Sequence, residues 1–222
     1  MKWLLLQLAD SAFPTGGFAH SSGLEAAVQL GEVTTAADLT AFVKDVLVQT
    51  GHLALPFVGA AHDAPSRLEA LDAACDALLT SHVANRASRT QGRAFAATCA
   101  RVFDGPDCTE LLALDEACRT RALAAHLAPV MGAATRALGV RREDALGLHL
   151  HGTLRGLASA AVRLGLVGPH EAQRLVHACA GTLAELVGTC GKVAAEEAWQ
   201  TAPVLEIFGA THDRLYSRLF QS

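Results

Sequence analysis

The residues best suited to chemistry in this 222-residue chain are its ten histidines, because neutral imidazole is a common ligand of transition metals. His149 and His151 lie two positions apart, so on a helix their side chains would point in different directions. His170 and His177 would share a helix face, but no Cys-x-x-Cys pair accompanies them. We therefore predict no permanent metal site and no bound cofactor, while the spacing leaves a transient metal site open.

Serine and cysteine could act as nucleophiles, but the sequence lacks the motifs that activate them. It has no Gly-x-Ser-x-Gly, Ser-x-x-Lys or family-typical Cys-His signature. The stretch from Thr15 to Phe18 also lacks the Gly-Lys-Ser/Thr ending of a phosphate-binding loop. The six cysteines lie mostly on apolar helix faces, which is typical of reduced thiols in a cytosolic protein. These patterns indicate no self-sufficient active site.

Residues 11–30, SAFPTGGFAHSSGLEAAVQL, concentrate backbone-shaping residues and are the strongest candidate for a functional loop. Pro14 fixes one φ angle, while Gly16 and Gly17 permit positive φ and close approach by another backbone. Ser22 to Glu25 reads Ser-Gly-Leu-Glu, which predicts a capping box at the start of the next helix. A structural turn and a partner-contact loop are about equally compatible with this pattern.

Arginine is the other residue type that could bind a partner. Arg86, Arg89 and Arg93 are spaced so that they share one helix face, which is more often a solvated face than a functional one. Arg163 lies between Val162 and Leu164 near the end of the most apolar helix. An arginine in that position needs a carboxylate or a helix-end carbonyl as its partner, supplied by this chain or by another.

The elements that position these residues are predicted to be helices in a single domain. Apolar residues make up 51% of the chain and aromatic residues only 5%, and Ala and Leu dominate, which favours closely packed helices over strands. We predict an all-α bundle of about eight to ten helices. The net charge of −4 argues against nucleic acid or an anionic membrane as the main partner. Gln7 and Asp10 interrupt the apolar start, so neither export nor a membrane span is expected.

Apolar periodicity and end signals divide the chain into helices. Thr35 is predicted to cap a helix that ends at Gly51, and Ser66 to Glu69 is predicted to be a second capping box. The expected helices cover about 35–51, 52–62, 66–81, 85–103, 110–125, 129–138, 143–164 and 169–190, with a turn at 104–107. We expect an all-helical domain over residues 1–202. Residues 203–222 form an apolar tail that needs a surface to cover.

Four stretches, in order, closely resemble the UreF family of urease accessory proteins. They are LLQLADSAFPTGGFAHSSGLEAAVQ, NRASRTQGRAF, SAAVRLG at 159–165 and APVLEIFGATHDRLYSRLFQS at the end. The resemblance spans nearly the whole chain and implies an all-α, cytoplasmic homodimer that is not itself an enzyme. It implies a scaffold that binds UreD (also called UreH) and recruits and regulates the GTPase UreG, so that nickel reaches apo-urease. The tail at 203–222 is then expected to become ordered against UreD.

The resemblance also implies which residues contact partners. Glu25 matches the glutamate of the family's Gly-Leu-Glu motif and Arg163 the arginine of its Ala-Ala-x-[Arg/Lys]-Leu motif, and both are implicated in control of UreG. The expected partner-binding residues are Gly16, Gly17, Phe18, His20, Ser22, Gly23, Glu25, Arg86, Gln91, Arg93, Arg163, Leu205, Tyr216, Arg218, Leu219 and Phe220. The chain departs from the family at residues 166–169, where Leu-Val-Gly-Pro replaces the usual Pro-Leu-Gly-Gln.

Two rival hypotheses belong to other classes. The protein could be a transient nickel carrier that uses His20, His52, His62 or the cysteines as ligands. It could also be an independent enzyme of unknown reaction, which we rank last.

Overall fold

The computed structural model describes residues 2–103 and 108–222, and in this part of the chain it contains helices and no strands. The all-α prediction is therefore confirmed. The helices are α1 (Lys2–Ala9), α2 (Leu24–Gln29), α3 (Ala36–Leu53), α4 (Leu55–Asp63), α5 (Leu68–Leu78), α6 (His82–Val102), α7 (Thr109–Arg119), α8 (Leu127–Ala137), α9 (Arg142–Arg163), α10 (Pro169–Ala178), α11 (Ala180–Cys190) and α12 (Pro203–Thr211). The predicted turn at residues 104–107 lies outside the described residues.

The described residues form twelve α-helices, more than the eight to ten expected, because several segments are short or divided. The helix predicted to follow Pro169 is split at Cys179 into α10 and α11. The helix predicted over 110–125 ends at Arg119, since Arg121 and Ala125 adopt positive φ. None of the helices in the described residues is long and apolar enough to cross a membrane.

Helix α9 occupies the centre of the bundle, as its apolar pattern predicts. Its inward face carries buried Leu146, Leu150, Leu154 and Leu157. Helix α9 contacts α1, α3, α4, α8, α10 and α11. Because the core is Ala-rich and Leu-rich, its helices approach one another closely. Helices α4 and α8 show this most clearly, since a Cβ at Gly132 would lie 2.3 Å from the Val58 carbonyl oxygen.

The capping predictions have mixed outcomes. Thr35 caps α3 as expected, and it forms a capping box with Asp38. The capping box predicted at Ser66–Glu69 is wrong, because a 3₁₀ turn over Pro65–Arg67 leads into α5 and no side chain caps that helix. Gly51 was expected to end α3, but the helix continues to Leu53. Gly51 instead makes room for α11, since a Cβ there would lie 2.9 Å from a Leu186 methyl carbon.

The loop between α7 and α8 is pressed against α6. The buried Asp72 carboxylate accepts hydrogen bonds from the amides of Ala125 (3.0 Å) and His126 (2.7 Å). A Cβ at Gly92 would lie 2.0 Å from the Ala125 carbonyl oxygen, so this helical position must be glycine. Ser88 accepts from the Leu127 amide at 3.2 Å. Much of the NRASRTQGRAF motif therefore serves to hold this loop.

We predict that Gly92→Ala lowers the free energy of unfolding by about 2–3 kcal/mol, because the new methyl group would overlap a backbone carbonyl that Asp72 holds in place. Gly147→Ala is the matched control: it is also helical, but a Cβ there meets nothing within 4 Å. That variant should be neutral or up to about 1 kcal/mol more stable. Urea unfolding of both proteins measures the difference, and equal midpoints would contradict the prediction.

Candidate functional site

The glycine-rich loop is anchored to α6 on one side. Phe13 is buried, with its ring centroid 6.0 Å from that of Phe95 and 6.1 Å from that of Phe103. The hydroxyl of Thr98 donates to the Pro14 carbonyl at 2.9 Å. Gly16 has φ 75° and leads into a short 3₁₀ turn over Gly17–Ala19. The loop therefore has a defined shape, as the sequence predicts, and it leaves the Phe18 side chain 67% exposed.

The capping box predicted at Ser22–Glu25 is wrong, because the chain turns more tightly before α2 than a standard cap allows. Ser22 and Gly23 both have positive φ, at 53° and 83°, so the helix begins at Leu24 without a side-chain cap. Ser21, one residue earlier, accepts from the Glu25 amide at 3.4 Å. The Glu25 carboxylate points away from this helix start and contacts the other end of the chain.

The Glu25 carboxylate binds the C-terminal segment, residues 203–222, which we call the tail. Its side chain is almost fully buried, and it accepts hydrogen bonds from the amides of Leu219 (2.6 Å) and Phe220 (3.1 Å). The imidazole Nε2 of His212, which is also buried, lies 2.9 Å from the same carboxylate. A buried carboxylate is stable only when its oxygens are paired, and the tail supplies the hydrogen-bond partners that the Glu25 oxygens require.

Further bonds join the tail to the glycine-rich loop. The Gln221 amide donates to the Ala19 carbonyl at 2.7 Å, and the Ser21 hydroxyl donates to the Ser222 carbonyl at 2.9 Å. Nδ1 of the buried His20 lies 2.5 Å from the Ser222 hydroxyl. Burial lowers the pKa of His20, and the charges of Arg86 and His212 add to the effect. The loop and the tail therefore form one continuous surface in this structure.

Arg163 connects this surface to the end of α9. Its guanidinium carbon lies 4.0 Å from the centre of the Phe18 ring and 4.1 Å from the centre of the Phe220 ring. One of its nitrogens donates to the Phe18 carbonyl at 2.7 Å. The sequence predicts a carboxylate or a helix-end carbonyl as the partner of Arg163, but the observed partner is a loop carbonyl, together with two aromatic faces that attract the cation. Because Arg163 lies between them, it fixes the distance between loop and tail.

The arginine stripe on α6 divides into two roles. Arg86 donates to the Asp213 carboxylate of the tail at 3.0 Å, and His82 Nε2 and Arg218 approach the same carboxylate. Arg89 and Arg93 instead donate to the Ala124 carbonyl, at 3.3 Å and 3.2 Å.

Asp213 illustrates how the stripe affects a neighbouring acid. Burial alone would raise the pKa of Asp213, but the hydrogen bonds and charges of Arg86 and His82 hold that pKa below its ordinary value. The Asp213 carboxylate is therefore ionised where the tail meets α6.

The structure places the expected partner-binding residues in two groups. Exposed or half-buried are Gly16, Gly17, Phe18, Ser22, Arg86, Gln91, Arg93, Arg163, Leu205, Tyr216, Arg218 and Leu219, whereas His20, Gly23, Glu25 and Phe220 are buried. Tyr216 is fully exposed. A buried residue such as Glu25 acts through the surface that it holds in place.

Sequence reasoning missed the contributions of Ser21, His212, Asp213 and Ser222. All four make long-range hydrogen bonds, with partners more than 120 positions away along the chain. A helical pattern carries no signal for such contacts. The only sequence hint was their position within the two stretches that carry the family resemblance.

A cavity of about 460 Å³ lies behind the glycine-rich loop and is lined mainly by apolar side chains from α3, α6, α9 and α12. His149 and Glu206 also line it, and the His149 Nδ1 and Glu206 Oε2 atoms have no hydrogen-bond partner among the described residues. Burial lowers the pKa of His149 to about 4. Burial also raises the pKa of Glu206, although its hydrogen bond with Gln49 opposes the shift.

No group of three or more His, Cys, Asp or Glu residues within the described ranges, 2–103 and 108–222, could hold a metal ion. The nickel-carrier hypothesis stays a prediction.

Comparison with known proteins identifies relatives along the whole chain. The UreF family model matches residues 33–180. Urease accessory protein F of Arabidopsis thaliana is 38% identical over 224 residues, which cover 100% of this chain and 93% of the relative. Urease accessory protein F of Oryza sativa subsp. indica is also 38% identical, covering 98% of this chain and 84% of the relative. Urease accessory protein UreF of Arthrobacter sp. (strain FB24) is 33% identical, covering 98% of this chain and 96% of the relative.

We predict that Glu25→Gln loosens the tail while the helical core stays folded. The amide keeps the shape of the carboxylate but offers one oxygen in place of two and removes the charge, so the Leu219 and Phe220 amides lose a strong acceptor. Hydrogen exchange of the peptide that contains these amides should be at least 10-fold faster, which corresponds to about 1.4 kcal/mol or more. The control is Glu32→Gln at an exposed position, which should exchange like the wild type. Unchanged exchange in Glu25→Gln would show that the carboxylate does not hold the tail.

We predict that His149 contributes to acid lability. Its folded pKa of about 4 lies below the unfolded value of 6.5, so the unfolded chain binds more protons between these values. The neutral imidazole contributes about 3 kcal/mol to the free energy of unfolding. This contribution is fully present above about pH 6.5 and is lost as the pH falls towards 4. In His149→Leu the loss of unfolding free energy between pH 7 and pH 4.5 should be smaller than in the wild type. Equal losses of unfolding free energy in the two proteins over this pH range would contradict the assignment.

Proposed function

We propose that this chain, which belongs to the UreF family of urease accessory proteins, is a non-catalytic scaffold for the insertion of nickel into apo-urease. Membership of the family supports a role in urease maturation. In the proposal the protein binds UreD (also called UreH), and the resulting complex recruits the GTPase UreG and regulates it. The nickel is cargo that the complex directs to urease, and the chain itself performs no reaction.

The observation that carries the proposal is the stacking of Arg163 between Phe18 and Phe220. This contact joins three separate parts of the sequence, namely the glycine-rich loop, the end of α9 and the tail. The side chains of Phe18, Tyr216 and Leu219, which belong to the same loop and tail, are exposed. Aromatic residues and arginine are enriched at the centres of protein interfaces, so a surface of this composition suits a protein partner better than a small molecule.

We assign the tail to the UreD contact. Residues 203–222 have apolar groups on both sides. Phe220 is buried on the inner side, which also binds Glu25, while Val204, Ile207, Tyr216 and Leu219 are exposed on the outside. A tail with apolar groups on both sides can contact its own core and a partner at once. Ordering of this segment would then be completed by UreD, as the family resemblance implies.

We assign the control of UreG to the same surface. A scaffold can shift a GTPase between two conformations only if its contacts favour one of them. Arg163 is half-buried and has its guanidinium flanked by two rings, so its position is fixed before any partner arrives. Glu25 supports this arrangement indirectly by holding the tail, and the buried His20 does the same through Ser222.

The remaining parts of the proposal are a homodimeric state and a cytoplasmic location. All six cysteines are unpaired, and Cys75, Cys99 and Cys118 are buried. Burial raises the pKa of each of these three thiols to about 12, which keeps them protonated and unreactive. Free buried thiols are typical of proteins from a reducing compartment, which supports the cytoplasmic assignment.

We predict that Arg163→Ala leaves the far-ultraviolet circular dichroism helical but weakens recruitment of UreG by at least 10-fold, since the link between loop and tail is lost. The assay is co-purification of UreG with tagged chain and UreD, combined with urease activity in the same cells. The matched control is Arg155→Ala, which removes another arginine of α9 that donates to a carbonyl, that of Ala9. Wild-type recruitment and activation in Arg163→Ala would remove Arg163 from the mechanism.

The proposal as a whole has a separate test. The wild-type chain is co-expressed with UreD, UreG and urease, and the complex is analysed by size exclusion with light scattering. We expect a dimer alone, a larger complex with UreD, and a further increase with UreG. A chain that retains no UreD, in cells where urease activates equally well without the chain, would overturn the proposed function.

A further inference from the structure

A second surface of the molecule is an open cleft beside the tail. It has a volume of about 970 Å³ and lies between α6, α7 and the loop that follows α7. Its basic residues are His82, Arg86, Arg89, Arg93, Arg119 and Arg121. The whole chain carries a net charge of −4, so five arginines around one cleft are a local exception to its acidic character.

The arginines in the cleft retain donors for a ligand. Arg89 and Arg93 each donate from one nitrogen to the Ala124 carbonyl, and a guanidinium has five N–H groups. Arg119 binds Glu116 on its own helix, but its side chain remains 69% exposed. Arg121 forms no ion pair within the described ranges. The cleft can therefore accept additional anionic groups without losing the bonds that hold the loop.

The tail shows which anion this face of α6 accepts. Asp213, carried on a short 3₁₀ turn, places its carboxylate 3.0 Å from Arg86 and 3.2 Å from His82. This is a carboxylate on a peptide segment, bound at the edge of the cleft. Arg89, Arg93 and Arg121 line the same cleft and present further guanidinium groups.

We propose that this cleft binds an acidic, extended peptide segment of a partner protein, laid along α6 beyond the contact that Asp213 already makes. Arg86 and Arg93 are seven residues apart, which is about 10 Å along a helix. In an extended peptide, side chains on one face recur about every 7 Å, so carboxylates two to four positions apart reach successive arginines. Fork-shaped guanidinium groups bind carboxylates in pairs of hydrogen bonds, which gives such a segment its register.

Nucleic acid is a poorer fit for the cleft. In the described part of the chain no Phe, Tyr or Trp lines it, so a base has no such ring to stack on, and the acidic chain as a whole would repel a long polyanion. A short acidic peptide avoids both problems because its charge is confined to the cleft. This binding does not depend on UreD or UreG being the partners, so it can be tested on the isolated chain.

The experiment uses fluorescence anisotropy with the full-length chain. The probe is a fluorescein-labelled ten-residue peptide of alternating glutamate and serine, and the comparison probes are the same peptide with lysine in place of glutamate and a single-stranded dT10 oligonucleotide. We expect the glutamate peptide to bind and the lysine peptide not to bind. Its affinity should fall at least 5-fold between 50 mM and 200 mM salt, because the contacts are ionic.

The test variant is Arg119→Ala/Arg121→Ala, which removes two cleft arginines that do not hold the Ala124 loop. The matched control is Arg141→Ala/Arg174→Ala: Arg141, an exposed residue just before α9, also pairs with an acid three residues away, and Arg174 is exposed. We expect the test variant to lose at least 10-fold in affinity and the control to stay within 2-fold. Failure of the glutamate peptide to bind, equal losses in both variants, or tighter binding of dT10 would each overturn the proposal.

Discussion

The burial of the Glu25 carboxylate constrains the rest of the candidate surface. An ionised carboxylate inside a protein must be paired, and the groups that pair with Glu25 come from residues almost 200 positions away. The tail is therefore part of the electrostatic environment of the first helices. With the tail in place, the glycine-rich loop, the tail and the end of α9 meet at Arg163. Without the tail, Glu25 would have to bind water or another donor.

A second buried carboxylate that accepts backbone N–H groups lies in the core. Asp72 is buried on α5 and accepts the amides of Ala125 and His126, as Glu25 accepts those of Leu219 and Phe220. In both places a carboxylate on a helix captures two consecutive backbone N–H groups of an irregular segment. Such segments lack the regular backbone hydrogen bonds of a helix or a sheet. A charged acceptor therefore pairs with N–H groups that would otherwise be buried without partners. In this bundle the helices supply the shape, and buried acids fix the loops between them.

Much of the architecture could be predicted from the sequence, because helices are specified by local patterns. The apolar spacing located most of the helices, and Thr35 and Pro169 marked two of their starts correctly. The failures at the candidate site share one cause. Ser22 to Glu25 matches the sequence pattern of a capping box, yet Glu25 binds the tail. A pattern of four residues contains no information about a hydrogen-bond partner so far along the chain. For the same reason the stripe at Arg86, Arg89 and Arg93 could be located but not divided into its two roles.

The sequence separation of the Glu25 contacts also has a consequence for synthesis of the chain. Glu25 and its hydrogen-bond partners in the tail are 187 to 195 positions apart. At roughly 5–20 residues per second, the ribosome adds the tail about 10–40 s after Glu25. During that interval α2 can form, but its carboxylate must remain hydrated and Arg163 lacks the Phe220 ring. The surface around Arg163 is thus completed only when the tail emerges, so incomplete chains do not present it.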